Sequence, residues 1–328
     1  MQAYQVIKTT MNIKEELAKA TPKKEMLITI GVFDGVHLGH QHLLFHLRNR
    51  AQKMGWLSGV VTFKSHPQTV LPPKSKLTWL SDLEDRISLL RGVGIDAVIA
   101  LTFTPELAQL TSREFVRLLK DYLKIRGLVI GPDFALGRNR EGDAAQLRLL
   151  GQDMDFSVEV VPPVVLDGEV ISSSAIRQAL AQGDMEKAGK SLGRPFSLSG
   201  QVVHGDKRGR NLGFPTTNLD INPEQALPGD GVYITVAYID HEPLPSITNI
   251  GIRPTFGGGK RSVETYLLDY EGDLHERRLK IDLLYKLRDE KHFNTTEELK
   301  DQIRKDVEQA RTILDKRIED RRLKFKDD

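Results

Sequence analysis

The first half of the chain alternates short apolar runs with segments of helical periodicity. Five runs have the length and composition of buried strands: Met26–Ile30, Leu57–Phe63, Ala97–Leu101, Leu128–Ile130 and Val158–Val161. Apolar residues with the three-and-four spacing of a helix face lie between the first two runs, at Leu43, Leu44, Leu47 and Ala51. Strands that alternate with helices predict a parallel, doubly wound α/β sheet.

A second helix begins with the pattern of a capping box. Thr111 precedes Glu114 by three residues, and apolar positions follow at Phe115, Leu118, Leu119 and Tyr122. In such a box the threonine hydroxyl and the glutamate carboxylate bond each other's backbone N–H groups. The pattern predicts a helix that begins directly after Thr111.

The pattern changes after about residue 190. Runs rich in β-branched residues occur without intervening helices at Val232–Ile239, Val263–Leu268 and Leu279–Leu284, and they predict a small β-barrel. A capping box at Thr295 and Glu298 then opens a long closing helix with one apolar face, formed by Leu299, Ile303, Val307, Ala310 and Leu314. We place the domain boundary near Gly193, which gives domains 1–190 and 191–328.

The composition is that of a soluble protein and gives no polyelectrolyte signal. The 328 residues are 39% hydrophobic and 28% charged, and no apolar stretch approaches the ~20 residues of a membrane span. A net charge of +2 gives no sign of a nucleic-acid partner. Without cysteine the chain has no disulfides or thiolate metal sites, and no secretory signal is evident, so we expect a cytoplasmic protein.

A glycine-rich turn with two histidines follows the first predicted strand. It runs from Gly31 to His40 and then enters a helix, which places N–H groups at the carboxyl edge of the sheet, where α/β folds bind nucleotides. His37 and His40 are three residues apart and project from one side of the helix. A histidine pair alone is more often incidental, and the strand, glycine and helix around it favour a phosphate site. The glycines let the backbone approach a phosphate.

The turn is not a Walker A loop. Gly189-Lys190-Ser191 does not complete one either, because Asp184 stands where a phosphate loop needs its first glycine. We interpret that run as a surface turn.

The Gly31–His40 run resembles the signature of the adenylyl-transferring domain of bacterial bifunctional riboflavin kinase/FAD synthetases, members of the nucleotidyltransferase superfamily. The resemblance implies catalytic roles for His37 and His40. It also implies ATP contacts from five residues of the turn: Gly31, Phe33, Asp34, Gly35 and Gly39. A second signature is matched by Ile171–Arg177, which implies that Arg177 is catalytic and reaches the ATP phosphates, with ATP contacts from Ser172, Ser173 and Ser174. Alone, the serines indicate only a helix N-cap and Arg177 a solvated helix residue.

Two further segments resemble the flavin-side loops of this family. They imply flavin contacts for His66, Pro67, Pro72, Asp133 and Phe134. For Phe134 a core position is an equally good interpretation. The chain departs from the family at Lys64-Ser65, where an acidic residue and proline are common, and at Leu136, where phenylalanine is common.

The second half contains a glycine-rich loop that leads into Gly213-Phe-Pro215-Thr216-Thr217-Asn218. A mobile hairpin would explain the glycines but not this ordered run, which resembles the riboflavin kinase signature. The resemblance implies Mg²⁺ held by Thr216 and Asn218, whose hard oxygens suit that ion, with Thr217 in place of the usual alanine. The ATP contacts that it implies are Gly205, Gly209, Gly213, Pro215 and Thr216.

Glu264 matches the glutamate of the kinase family, which implies a general base for the substrate hydroxyl. Without the loop, a glutamate that alternates with Val263 and Thr265 would be the solvent face of a strand. Tyr266 stands where histidine is frequent. Arg288 and Phe293 are expected to border the flavin pocket.

Together the resemblances predict a Rossmann-like FMN adenylyltransferase domain followed by a riboflavin kinase barrel. They imply an enzyme that converts riboflavin to FMN and then FAD with ATP and Mg²⁺, so that FMN and FAD are product ligands. Two alternatives are an adenylyltransferase for another phosphorylated metabolite, which the kinase-like half disfavours, and an RNA-binding barrel, which the near-neutral charge disfavours. The sequence does not indicate an oligomeric state.

Overall fold

The computed structural model describes residues 13–70, 77–204, 212–252 and 261–324, with side chains described up to residue 315. The chain divides into two compact units, Met1–Ile171 and Ser172–Asp328. The predicted barrel begins within the second unit. The predicted assignment of residues 1–190 to one activity and 191–328 to the other concerns function, and it remains a prediction.

The first unit is built on a five-stranded parallel sheet. Its strands are β1 (Met26–Ile30), β2 (Leu57–Phe63), β3 (Ala97–Leu101), β4 (Ile125–Ile130) and β5 (Ser157–Val160). Their order is β3-β2-β1-β4-β5, and every neighbouring pair is parallel. The chain therefore winds outward from β1 in one direction and then restarts at β4 in the other, which confirms the doubly wound sheet.

Helices cover both faces of this sheet. They are α1 (Ile13–Lys19), α2 (Leu38–Met54), α3 (Pro67–Val70), α4 (Leu83–Gly92), α5 (Pro105–Gln109), α6 (Ser112–Leu123) and α7 (Ala144–Met154). Successive strand residues point to opposite faces, so that Leu27 packs in one core with Leu44 of α2 while Ile28 packs in the other with Leu119 of α6. The capping box at Thr111 and Glu114 is present in full. A short hairpin, β6 (Val165–Leu166) and β7 (Glu169–Val170), follows the sheet.

The second unit contains a closed antiparallel barrel, as predicted. Two helices, α8 (Ser173–Gln182) and α9 (Met185–Leu192), precede its six strands, and α10 (Thr296–Lys324) follows them. The strands are β8 (Phe196–Val203), β9 (Thr216–Asp220), β10 (Gly231–Ile239), β11 (Glu242–Ile252), β12 (Arg261–Leu267) and β13 (Arg278–Arg288), in the order β10-β11-β12-β9-β8-β13.

Helix α10 packs on the outside of the barrel through its apolar face. Ala310 and Leu314 lie in one core cluster with Ile234 and Ile247 of the barrel. The predicted cap is only half correct. The Glu298 N–H donates to the Thr295 hydroxyl at 3.2 Å, but the Glu298 carboxylate accepts from the backbone of Asn294 instead of Thr295.

One local prediction is wrong. The run Gly189-Lys190-Ser191, interpreted as a surface turn, lies inside α9, where Ser191 is buried. Asp184 begins this helix by accepting from the Lys187 N–H at 2.9 Å. Asp184, the residue whose presence excluded a phosphate loop, is thus the N-cap of α9. Within the described ranges, none of the helices has the length and apolar character needed to cross a membrane.

Candidate active sites

The first candidate site lies where the parallel sheet reverses its winding. The turn after β1 leads through Gly31–Val36 to His37, which is the N-cap of α2. In the sheet, β1 lies between β2 and β4. Ligands of doubly wound sheets bind in the crevice that opens at this point of the carboxyl edge.

The backbone of this turn is held in an unusual conformation. Phe33, Gly35 and Val36 have φ of 52°, 76° and 40°, which is costly for the two that carry side chains. The buried carboxylate of Asp34 stabilises the turn by accepting backbone N–H groups from Leu80 at 2.9 Å and Ser81 at 3.2 Å. Asp34 is thus a structural anchor of the turn, and an ATP contact from it remains a prediction.

The two histidines are stacked, with ring centroids 3.6 Å apart and planes 17° from parallel. His37 Nδ1 accepts the backbone N–H of His40 at 3.3 Å, and a neutral ring in this role carries its proton on Nε2. Gly39 leaves room for this pair, because a Cβ there would lie 3.2 Å from the His37 ring, a tight contact that would press on the ring. The predicted shared side of the helix is confirmed.

Burial favours the neutral form of His40. Burial, and secondarily the neighbouring His37, hold the pKa of His40 well below its usual value near 6.5. Its Nδ1 is buried and has no hydrogen-bond partner among the residues that the structure describes. A buried polar atom at a nucleotide-binding edge is suited to bond a ligand.

Sequence reasoning missed Arg86 in this region. Its guanidinium is 1% exposed and donates to the carbonyls of Val32 at 3.1 Å and Phe63 at 2.8 Å, which follow β1 and end β2. The side chain also packs over the Trp79 ring, 4.4 Å from its centroid. Arg86 therefore ties the histidine turn to the segment after β2. Arg86 lies three residues after Leu83 and four before Leu90, which places it on the apolar face of α4. This spacing is the sequence signal that could have identified it.

The predicted flavin-side loops both emerge at the carboxyl edge of the sheet. His66 and Pro67 follow β2, and the His66 ring lies edge-on to Trp79 at 5.5 Å. Asp133 and Phe134 follow β4, and Phe134 is half-buried against the core, which supports the core interpretation without testing a flavin contact. Leu136, a departure from the family pattern, is a buried core residue. Pro72 lies outside the described residues.

The second signature of the nucleotidyltransferase half opens a helix, as predicted. Ser172 is the N-cap of α8, and its hydroxyl accepts from the Ala175 N–H at 3.2 Å. Ser173, Ser174 and Arg177 lie in the first turns of α8, with Arg177 half-buried. Their contacts with ATP remain predictions.

Two cavities meet at β9 of the barrel. The helix-side cavity, about 620 Å³, lies against the segment that leads into α10 and is lined by Glu264, Tyr266, Arg288 and Phe293 among others. The loop-side cavity, about 570 Å³, is lined by Pro215 and by His204 and His275. Thr216 and Asn218 line both. The two residues predicted to hold Mg²⁺ therefore stand between two spaces that can each hold a ligand.

Strand register places the predicted general base beside one predicted metal ligand. Glu264 is directly opposite Asn218 of β9 and, on its other side, Asn249 of β11. Directly opposed residues share a face of the sheet, so the carboxylate and both amides form one polar row. All three residues line the helix-side cavity, and Asn249 was not predicted. Glu264 is half-buried in that cavity, and its role as the general base remains a prediction.

The remaining departures in the barrel have structural partners. The Thr217 hydroxyl donates to the Thr265 carbonyl at 3.0 Å, and Tyr266 lies edge-on to Phe214 at 5.6 Å. Gly213 has a φ of 85°, a conformation that favours glycine. Gly205 and Gly209 lie outside the described residues.

Arg288 anchors the wall of the helix-side cavity. Its Nη2 donates to Asp306 of α10 at 2.8 Å and its Nε at 3.0 Å, and Gln302 donates to the same carboxylate at 2.9 Å. The guanidinium lies 5.9 Å from the ring centroid of Phe293. Arg288 and Phe293 both line the helix-side cavity, and a flavin contact from either remains a prediction.

His204 and His275 form a second histidine pair, which was not predicted from the sequence. Their rings are perpendicular, with centroids 3.6 Å apart, at the edge of the loop-side cavity. Nδ1 of His275 is buried, and nothing in the described part of the chain bonds it. The pair is a candidate contact for whatever occupies that cavity.

Two family models match the chain, one in each half. The family model described as FAD synthetase matches residues 19–175, and the one described as riboflavin kinase matches residues 192–314. A bifunctional riboflavin kinase/FMN adenylyltransferase of Pseudomonas fluorescens is 42% identical over 87% of this chain and 92% of its own. The protein of the same name from Escherichia coli K12 is 37% identical over 89% and 94%.

A solved structure matches over most of the chain as well. It belongs to a Streptococcus pneumoniae protein named a macrolide-efflux protein, with a TM-score of 0.84, 30% identity and coverage of 90% of this chain and 96% of that one. The match establishes a shared architecture. With both family models in order along one chain, and relatives of this identity matched over nearly their whole length, the chain belongs to the family of bifunctional riboflavin kinase/FMN adenylyltransferases.

Proposed function

We propose that the two reactions of this enzyme are divided between the barrel, which phosphorylates riboflavin, and the sheet edge, which adenylylates FMN. The observation that carries the proposal is the pairing of Glu264 with Asn218 in the helix-side cavity, where Asn218 also lines the loop-side cavity, in a unit separate from the stacked histidines. Each step thereby has its own phosphate-handling groups. Riboflavin, FMN and ATP are the substrates that this division requires.

In the kinase step, ATP occupies the loop-side cavity and riboflavin the helix-side cavity. The γ-phosphate then lies at Thr216 and Asn218, the residues that the two cavities share. Glu264, across from Asn218, accepts the proton of the ribityl hydroxyl as its oxygen attacks the γ-phosphorus. Transfer of the phosphoryl group from one cavity to the other thus explains why the base, Glu264, lies next to Asn218.

The donor set at β9 fits a magnesium ion. The Thr216 hydroxyl and the amide oxygen of the buried Asn218 are hard neutral ligands, of the kind that suits Mg²⁺ when ATP phosphates and water complete its shell. Bound there, the ion offsets the negative charge of the ATP phosphates. The residues of this chain orient the phosphate and remove the hydroxyl proton.

In the adenylyl step, the FMN phosphate attacks the α-phosphorus of ATP and displaces pyrophosphate. That phosphate is already an anion, so the step needs hydrogen-bond donors and cations for the developing charge and no enzyme base. His37 donates from Nε2, because its Nδ1 accepts from the His40 backbone. His40, held neutral by burial, donates from one ring nitrogen, and Arg177 supplies the cation.

The proposed functional boundary remains between residues 190 and 191. The riboflavin kinase match begins at residue 192, whereas the compact units divide before Ser172. Helix α8, with Arg177, precedes this boundary and is therefore assigned to the adenylyl step.

Separate substrates and paired variants test the division. We expect His40→Ala to abolish conversion of FMN to FAD while riboflavin is still phosphorylated. Glu264→Gln and Asn218→Ala are expected to do the reverse. His42→Ala, an exposed histidine on the same helix, and Glu242→Gln, an exposed barrel glutamate, are matched controls. Loss of both activities in a folded variant, or transfer of AMP only to a metabolite other than FMN, would overturn the proposal.

A further inference from the structure

Lys64, which departs from the family pattern, is bonded to the N-terminal helix. It is the first residue after β2, and its Nζ donates to Glu16 Oε1 of α1 at 2.7 Å. The same Nζ lies 3.4 Å from the Thr102 hydroxyl. The positive charge of Lys64 is therefore paired with the Glu16 carboxylate.

Glu16 is built into the carboxyl edge of the sheet. Its side chain is 5% exposed and accepts the backbone N–H of Thr102 at 2.8 Å and the Thr102 hydroxyl at 2.7 Å, besides the lysine. Burial alone would raise the pKa of Glu16, but the bonds from Lys64 and Thr102 outweigh it and lower the pKa. A buried carboxylate that accepts from three donors holds the segment after β2 to the segment after β3.

The segment that follows Lys64 carries predicted flavin contacts. Its first residue is held twice, because the Lys64 N–H also donates to the Leu101 carbonyl at 2.9 Å. Two residues later comes His66, and Pro67 begins α3. Residues 64–70, here termed the acceptor loop, therefore start from an anchor made by Glu16.

We propose that Glu16 and Lys64 are a positioning pair that fixes the acceptor loop and so sets the affinity of the adenylyl step for FMN. The inference rests on the proposed function, since it takes residues 64–70 to hold the flavin. Neither side chain needs to touch FMN. Because Glu16 lies in α1, this short helix, also held by the fully buried Leu17, becomes part of the acceptor site.

A double-mutant cycle tests the pair. Glu16→Gln and Lys64→Met are each expected to raise the KM for FMN about fivefold, the effect of losing one partly exposed ion pair of ~1 kcal/mol. The double variant should show no further increase, because both substitutions remove the same interaction. The KM for ATP, kcat for adenylylation and riboflavin phosphorylation should not change. Glu15→Gln, an exposed neighbour on α1, is the matched control.

Hydrogen exchange gives a readout that is independent of turnover. Both single variants should exchange faster over residues 64–70, and the control should not. Faster exchange with an unchanged KM for FMN would overturn the inference and leave the proposed function standing. Additive increases in KM would overturn the pairing, because they would mean that the two side chains act independently of each other. Absence of any FMN adenylylation by the wild-type protein would overturn the proposed function and this inference with it.

Discussion

Replacing Asp306 by asparagine would remove the charge that holds α10 on the barrel. The Arg288 and Asp306 side chains are 15% and 5% exposed, and two guanidinium nitrogens lie 2.8–3.1 Å from the carboxylate oxygens. The substitution keeps the shape but leaves a buried guanidinium without its counter-charge. Breaking a buried pair in this way costs about 3–5 kcal/mol, far more than an exposed pair contributes.

Urea unfolding measures this cost. With a slope of about 2 kcal/mol per molar for a unit of this size, the midpoint of the barrel should fall by about 2 M. Near-UV circular dichroism reports on both units, including the barrel through buried Tyr233, whereas tryptophan fluorescence follows only the first unit, which contains Trp56 and Trp79; the transition seen only by circular dichroism is that of the barrel. The tryptophan transition should stay unchanged. In folded protein, the KM for riboflavin should rise and FMN adenylylation should continue.

A second variant separates charge from packing. Replacing both Arg288 and Asp306 by leucine removes the unpaired charge, so the barrel should recover much of the stability lost by Asp306→Asn. A barrel midpoint for Asp306→Asn within about 0.3 M of wild type, an effect of ~0.5 kcal/mol, would refute the reasoning that this buried pair anchors α10.

Two further predictions concern the first unit. Because burial and His37 hold the pKa of His40 well below 6.5, the unfolded chain binds a proton there that the folded chain does not, and stability is lost as pH falls below about 6.5, by at most ~1.4 kcal/mol per pH unit. His40→Gln should flatten that slope in urea unfolding followed by tryptophan fluorescence, and an unchanged slope would contradict it. Gly137→Ala should destabilise the same unit by about 1–3 kcal/mol more than Gly168→Ala. Both glycines have positive φ, but only at Gly137 would the Cβ meet backbone, 2.5 Å from the Ser112 nitrogen, and equal losses would contradict the clash.

Local patterns in the sequence predicted the elements that local physics decides. Apolar runs gave β1, β2 and β3 at their observed bounds, and the Thr111 capping box placed the start of α6. The His37 and His40 spacing was enough to place both rings on one side of α2. These features depend on residues within a few positions of each other.

Features that depend on distant residues could not be predicted in the same way. The alignment of Glu264 with Asn218 is set by the register of two strands separated by a long loop and two other strands. The pairing of Glu16 with Lys64 requires α1 to pack at the carboxyl edge, and no pattern near either residue indicates it. Gly189-Lys190-Ser191 was wrongly interpreted as a turn after a phosphate loop had been excluded. The cap at Asp184 and the buried face of α9 outweigh the low helix propensity of glycine.

The division of two reactions between two sites is tested most directly by mixing two inactive variants. His40→Ala and Glu264→Gln, each given riboflavin and Mg-ATP, should form no FAD, the first stopping at FMN and the second at riboflavin. Mixed in equal amounts, they should form FMN first and FAD after a lag, because released FMN passes from the intact barrel of one variant to the intact sheet edge of the other. A mixture of the folded variants that forms FMN but no FAD, or FAD formed from riboflavin by either variant alone, would contradict the division.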